Sequence, residues 1–322
     1  MALLEAWNIR VLATTNGATD PLMPHIALSR QPAMRGRIIP TFRPDDVCDL
    51  RHKDWRQRIG ALRELTGLPV LTFDDFLAAL RARRAEFKRL GATASDHGVA
   101  VPVTTILAHD KVRALFAAAL AGKPVSPEDG ASFTAHMLVE HARMSAADGL
   151  VMQLHAGVHR NHHPRLFESC GPDIGADIPV AVDWTAGLQP LLGELGTHPN
   201  LTVVLFTLDE ATYSRELAPL AGFYPVLKLG PPWWFHDSLH GMRRYLDGVV
   251  DSAGVANLAG FNDDARNFLT LQARHTVWRR AVSDWVAAQH VAGVLDWADA
   301  LQVAKELAVG LAVKTYKLPP RV

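Results

Sequence analysis

Seven short runs of strand-forming residues recur along the chain, each followed by a stretch with helical periodicity. They fall at residues 9–14, 37–40, 92–95, 150–155, 201–206, 224–229 and 258–261. This alternation predicts βαβ units and a parallel sheet, because parallel neighbours need a crossover long enough to hold a helix. A length of 322 residues suits two average domains or one α/β barrel with insertions, and the alternation predicts a single α/β domain over 1–322, a TIM-type (β/α)8 barrel. Seven strands fall one short of a closed barrel. The chain also opens abruptly, with residues 2–7 reading as the last turns of a helix that runs straight into the first strand. The expectation is a barrel incomplete at its N-terminus.

Helix boundaries are marked chemically. A segment at 76–90 follows Asp74-Asp75 and stops at Gly91, an acidic opening and a glycine close. Ser126-Pro127-Glu128-Asp129 combines a serine cap, proline at the first helical position and acids at the positive end of the helix dipole. Amphipathic segments follow at 237–250 and 267–290, and a terminal helix at 297–316. The stretch 103–149 holds two helices and is expected to decorate the barrel as a helical insertion. Within it, His136-Met137-Leu138-Val139-Glu140-His141 lacks the spacing of a zinc helix and reads as an ordinary exposed face.

Composition narrows the function classes. Formal net charge is zero and no basic stripe with interleaved aromatics occurs, which argues against nucleic-acid binding. The two cysteines, Cys48 and Cys170, lie far apart and outside any CxxC spacing, as expected in a reducing compartment. No apolar run approaches a membrane span, and the start carries Glu5 and no basic leader. A cytoplasmic protein is expected.

Polar groups at the carboxyl ends of parallel strands share one active-site mouth. The last run ends in Asn262-Asp263-Asp264-Ala265-Arg266, the middle one in Gln153-Leu154-His155 with Arg160 beyond it. The others end in Thr14-Thr15-Asn16, in Arg43-Pro44-Asp45, in Ser95-Asp96-His97-Gly98 and, after Gly230, in Trp233-Trp234. Arginines at several ends suit an anionic substrate, and without a glycine-rich phosphate loop a carboxylate is the expected anion. Each residue also has a structural reading. Asp263 or Asp264 could cap the following helix, and His155 could be a hydrogen-bonded core histidine. His159, His162 and His163 match no zinc motif and suit a surface loop. One ring of Trp233-Trp234 is expected in the core, the other lining the mouth.

Several ordered blocks carry a resemblance. They include Val11 to Asn16, Arg37 to Asp45, Phe73-Asp74-Asp75-Phe76, Ser95 to Gly98, Gln153 to Asn161, Gly171-Pro172-Asp173, Gly230 to Asp237, and Asp264 to Leu269 with Arg274-His275 beyond. In these the chain resembles the uronate (glucuronate) isomerases, outlying members of the metal-dependent amidohydrolase barrels. The resemblance implies an aldose–ketose isomerase that interconverts D-glucuronate with D-fructuronate, and D-galacturonate with D-tagaturonate, through a cis-enediol. It implies that Asp264 touches a divalent metal such as zinc and serves as base, with Arg266 handling substrate oxygen charge. It places Arg43, His155, Arg160 and Trp233 around the hexuronate. The family's first strand supplies two more metal ligands from a His-x-His pair, and the chain contains no such pair.

Two further readings stand beside it. One is a metal-dependent hydrolase on the same barrel; the other is an inactive barrel that keeps carboxylate binding through Arg43, Arg160 and Arg266. A barrel lacking a strand would also leave open edges, so poor solubility or oligomerisation through the gap is expected.

Overall fold

The computed structural model describes residues 2–32, 34, 37–232, 237–265 and 267–318. The strands are β1 (Leu12–Gly17), β2 (Ile38–Arg43), β3 (Ala94–Gly98), β4 (Val151–His155), β5 (Val158–His159), β6 (Ile178–Pro179), β7 (Val203–Phe206) and β8 (Leu227–Leu229). Six of them form a parallel sheet in the order β1-β2-β3-β4-β7-β8. The pair β5–β6 is a small antiparallel excursion between β4 and the helix Trp184–Leu195. The expected run at 258–261 joins the far edge through a single parallel bridge, Leu229 to Leu258, with Ala259 N–H donating to Leu229 O at 2.8 Å. All seven expected runs therefore lie side by side.

The pleat separates two surfaces. Met152 and Leu154 of β4, Val203 and Leu205 of β7 and Leu227 and Leu229 of β8 pack outward against helices carrying Trp184, Trp278 and Leu246. Ala94, Val151, Val204, Phe206, Ala259 and Tyr316 form a smaller inner cluster. The third cluster joins Phe42 of β2 to Phe73, Phe76, Phe116 and Phe133; Phe73 meets Phe116 and Phe133 edge to face, and Phe76 stacks on Phe116. On β1 the two inner-face residues Ala13 and Thr15 are exposed, and among the described residues no strand pairs with its outer edge.

Boundaries moved where pairing and capping outweighed local composition. The first strand runs from Leu12 rather than residue 9, since its register with β2 continues through Thr15–Thr41 to Gly17–Arg43. Ahead of it, left-handed Asn8 closes the helix Ala2–Ala6 and Arg37 ties down Ile9 O at 2.6 Å. The helix expected from 76 starts at Phe73, because Thr72 and Asp75 form a reciprocal capping box. Ser126 caps the helix Pro127–Asp148 as expected, accepting from Asp129 N–H at 3.1 Å. The terminal helix is interrupted by a π turn at Glu306–Gly310.

The exposed face expected around His136 and His141 is a correction: His136, Glu140 and His141 are all buried. The long helix carrying them is enclosed on several sides. His136 Nδ1 accepts from Leu107 N–H at 3.2 Å, Glu140 pairs with Arg143, and His141 Nε2 lies 3.4 Å from Cys48 Sγ. Burial pulls the His141 imidazole well below its usual range, so it stays neutral.

Candidate active site at the carboxyl edge of the sheet

Parallel strands end on one edge, and there the sequence placed its polar residues. Arg43 closes β2. Its Nε meets Asp45 Oδ2 at 2.8 Å and its Nη1 lies 3.4 Å from Asp96 Oδ2. Asp96 sits on the inner side of β3, in register with Gln153 of β4, and its Oδ1 lies 2.8 Å from His155 Nδ1. A chain of close polar contacts, Asp45–Arg43–Asp96–His155, thus crosses three adjacent strand ends.

Two glycines make room for it. A Cβ on Gly98 would collide with the Arg43 guanidinium, while the Gly98 N–H donates to Asp45 Oδ2 at 3.0 Å. A Cβ on Gly230 would strike the Phe206 ring, which stacks on the His155 imidazole with centroids 4.4 Å apart and planes 7° off parallel. His155 is therefore fixed by a carboxylate at its edge and an aromatic face at its side.

Burial raises the cost of charge here, and the pairing decides which groups keep it. Burial pushes the Asp96 carboxyl up, but His155 and Arg43 outweigh it and hold the group at about 2. Asp45 lacks that surplus of cations, and burial lifts it to about 6 despite Arg43. Next to Asp96, the His97 imidazole is pulled down to about 3 by burial and hydrogen-bonds Ser95 Oγ at 3.1 Å, so it remains a neutral core group.

The last strand contributes a second cluster. Arg274 Nε lies 2.9 Å from Asp263 Oδ1, its guanidinium also pairs with Asp237, and its Nη1 donates to the Asp264 carbonyl at 3.5 Å. His275 Nε2 lies 3.3 Å from Asp263 Oδ2. Burial pushes the Asp263 carboxyl up to about 6, against the pull of Arg274 and with the repulsion of Asp237 and Asp264 adding. Asp264 adopts a left-handed backbone, φ +49°, uncommon outside glycine.

Neither Asp263 nor Asp264 caps the following helix Phe268–Val291; Asn267 does, accepting from Leu269 and Thr270 N–H. His155 and Arg43 share Asp96. Arg160 lies on the excursion after β4, half-exposed, with Nη1 3.0 Å from Asp177 Oδ2. His159, His162 and His163 are exposed, and His163 caps the helix Pro164–Cys170. Trp233, Trp234 and Arg266 lie outside the described residues. Asp96, Asp177 and Arg274 were not singled out as site residues. Asp96 could have been, from its strand-end position beside His97, whereas Arg274 and Asp177 reach the site from a helix and a loop where no periodicity flags them.

Among the described residues no three His, Cys, Asp or Glu side chains gather to hold a metal ion. Asp264 by itself is a weak donor set, so the residues described here do not fit the divalent metal that the resemblance implies. No described helix is long and apolar enough to cross a membrane.

Comparison with known proteins fits this geometry. The chain is 48% identical over 317 residues to a uronate isomerase of Nostoc punctiforme and 47% identical to one of Phenylobacterium zucineum, covering 98% of this chain and 66% of each relative. The crystal structure of glucuronate isomerase from Caulobacter crescentus superposes with a TM-score of 0.94 at 45% identity, over 100% of this chain and 67% of that one. The uronate isomerase of Thermotoga maritima gives 0.91 at 29% identity, over 98% and 69%. A protein from Lactobacillus casei described as a putative metal-dependent hydrolase shares the fold, with a TM-score of 0.61 at 15% identity over 98% and 75%. The chain spans about two thirds of the length of the relatives it matches. The profile of the glucuronate isomerase family matches residues 1–312, and with a (β/α)8-type barrel sheet presenting paired ionic groups at its carboxyl edge, the chain belongs to that family.

Proposed function

We propose that this chain isomerises hexuronates, converting D-glucuronate to D-fructuronate and D-galacturonate to D-tagaturonate. The observation that carries the reading is the Arg43–Asp96–His155 chain across neighbouring strand ends of a glucuronate isomerase family member. Arg43 and Arg160 suit the sugar carboxylate, which a guanidinium meets with two parallel hydrogen bonds. Asp264 serves as the base that moves a proton between C2 and C1 by way of a cis-enediol, and Arg266 balances charge on the substrate oxygens. Asp96 keeps His155 oriented beside the sugar, and Trp233 is a further sugar-binding residue by resemblance. A divalent metal, zinc by resemblance, would add Lewis-acid polarisation once two further ligands were supplied. The proton transfer described here uses this chain's own groups. The protein works in the cytoplasm on a small sugar acid, without nucleic acid or membrane, and as a homo-oligomer.

Proton NMR of D-glucuronate in deuterated water, with the chain and added zinc, tests the reading. Deuterium at C1 of newly formed D-fructuronate and, through reversal, at C2 of the remaining D-glucuronate is expected; an unlabelled, unconverted sugar overturns it. A second reading, uronate binding without turnover, is favoured by the lack of a three-ligand group among the described residues. It predicts the same calorimetric affinity for a uronate with and without zinc, and no label.

A further inference from the structure

Two aspartates stand side by side after the last strand, and the structure treats them differently. Asp263 is held by Arg274 on one oxygen and His275 on the other, both from the following helix. Its side chain is only 10% exposed, and it is turned toward that helix. Asp264 follows in a left-handed conformation, with its carbonyl accepting from the same arginine. Arg274 also grips Asp237, which leads into the helix Leu239–Ala253. One guanidinium therefore ties together the end of the last strand, the segment ahead of one helix and the start of the next.

A left-handed non-glycine residue persists only where its surroundings hold it there. Consecutive side chains of an extended strand point to opposite sides, and a left-handed residue resets that direction for whatever follows. We propose that Arg274 is a positioning residue: its simultaneous hold on Asp263, Asp237 and the Asp264 carbonyl locks the Asp264 backbone and so sets the direction of the Asp264 carboxylate. Asp263 is then the anchor of the clamp and not a second acid. The proposal deepens the isomerase reading and rests on it only for what Asp264 does; the clamp itself is independent of any activity.

The test uses the whole chain with Arg274→Met, Arg274→Lys and, as a gentler variant that leaves the other two contacts, Asp237→Asn. Amide hydrogen exchange is read around Asp264 and around Asp237, beside a thermal melt. Arg274→Met is expected to speed exchange about tenfold or more at both places, with Asp237→Asn intermediate and the helix Phe73–Arg89 unchanged. Unchanged exchange around Asp264 in Arg274→Met, or in Asp237→Asn should the first variant fail to fold, overturns the clamp. Where wild type turns over glucuronate, Arg274→Met is expected to lower kcat roughly a hundredfold with KM nearly constant, and Arg274→Lys to recover part of it. A loss confined to KM, or no recovery in a folded lysine variant, overturns the positioning role. If wild type shows no turnover, the isomerase reading fails while the exchange measurement still decides the clamp.

Discussion

The imidazole of His155 on β4 meets the carboxylate of Asp96 on β3 at 2.8 Å, Nδ1 to Oδ1. Asp96 is 4% exposed, and removing one partner of such a buried pair costs more than the pair contributes net. Asp96→Asn is expected to destabilise the chain by about 3 kcal/mol at neutral pH, measured by urea denaturation. The folded Asp96 carboxyl is held at about 2, below its unfolded value. Its contribution is thus present above roughly pH 4 and is lost as pH falls toward 2. The gap between wild type and Asp96→Asn should narrow over that window; a constant gap would show that shape rather than charge is at stake.

Arg84 is fully buried on the helix Phe73–Arg89, yet it carries a forked pair to Asp148, at 2.6 and 3.0 Å, and a bond to Ser145 Oγ at 2.9 Å. Arg84→Met keeps the stem and removes the fork from Asp148, which still accepts from Leu150 N–H, so a loss of about 1–3 kcal/mol is expected in chemical denaturation. Arg84→Lys should recover little, because an ammonium cannot reproduce the fork.

Tyr316 reaches the inner cluster from the terminal helix. Its hydroxyl donates to Gln153 Oε1 at 2.7 Å and accepts from Asn262 Nδ2 at 2.8 Å. Tyr316→Phe keeps the ring and takes one hydrogen-bond partner from each of two part-buried amides, for an expected cost of about 1 kcal/mol in a thermal or urea melt.

Among the described residues no strand pairs with the outer edge of β1, beside exposed Ala13 and Thr15. Concentration-dependent self-association is expected in sedimentation velocity, and Thr15→Lys should weaken it, since an edge lysine opposes strand addition. A single monomeric species at all concentrations would count against this.

Much of this architecture was readable from the chain itself. All seven runs became neighbours in one sheet because alternation of strand and helix is written in short-range pattern. The Ser126 cap and the ionic strand ends of Arg43 and His155 were legible for the same reason. What escaped notice depends on distant partners. The burial of His136, Glu140 and His141 follows from elements packing around the helix from several sides, which its own periodicity does not announce. Arg274 lies on a helix whose sequence says nothing about its reach back to Asp237 and Asp263. Even the helix cap after the last strand went to Asn267 instead of an aspartate, because the helix begins at Phe268 and the cap is the residue immediately before it.

The φ of +49° at Asp264 carries a practical lesson for anyone redesigning this barrel. Asparagine and glycine are the replacements whose backbones settle there easily, so Asp264→Asn can delete the acid without disturbing the chain path. A branched residue such as valine would report on its own steric misfit, and any drop in performance would be misread as lost chemistry. Nor is the position one place upstream equivalent, since the Asp263 carboxylate already faces Arg274 and His275.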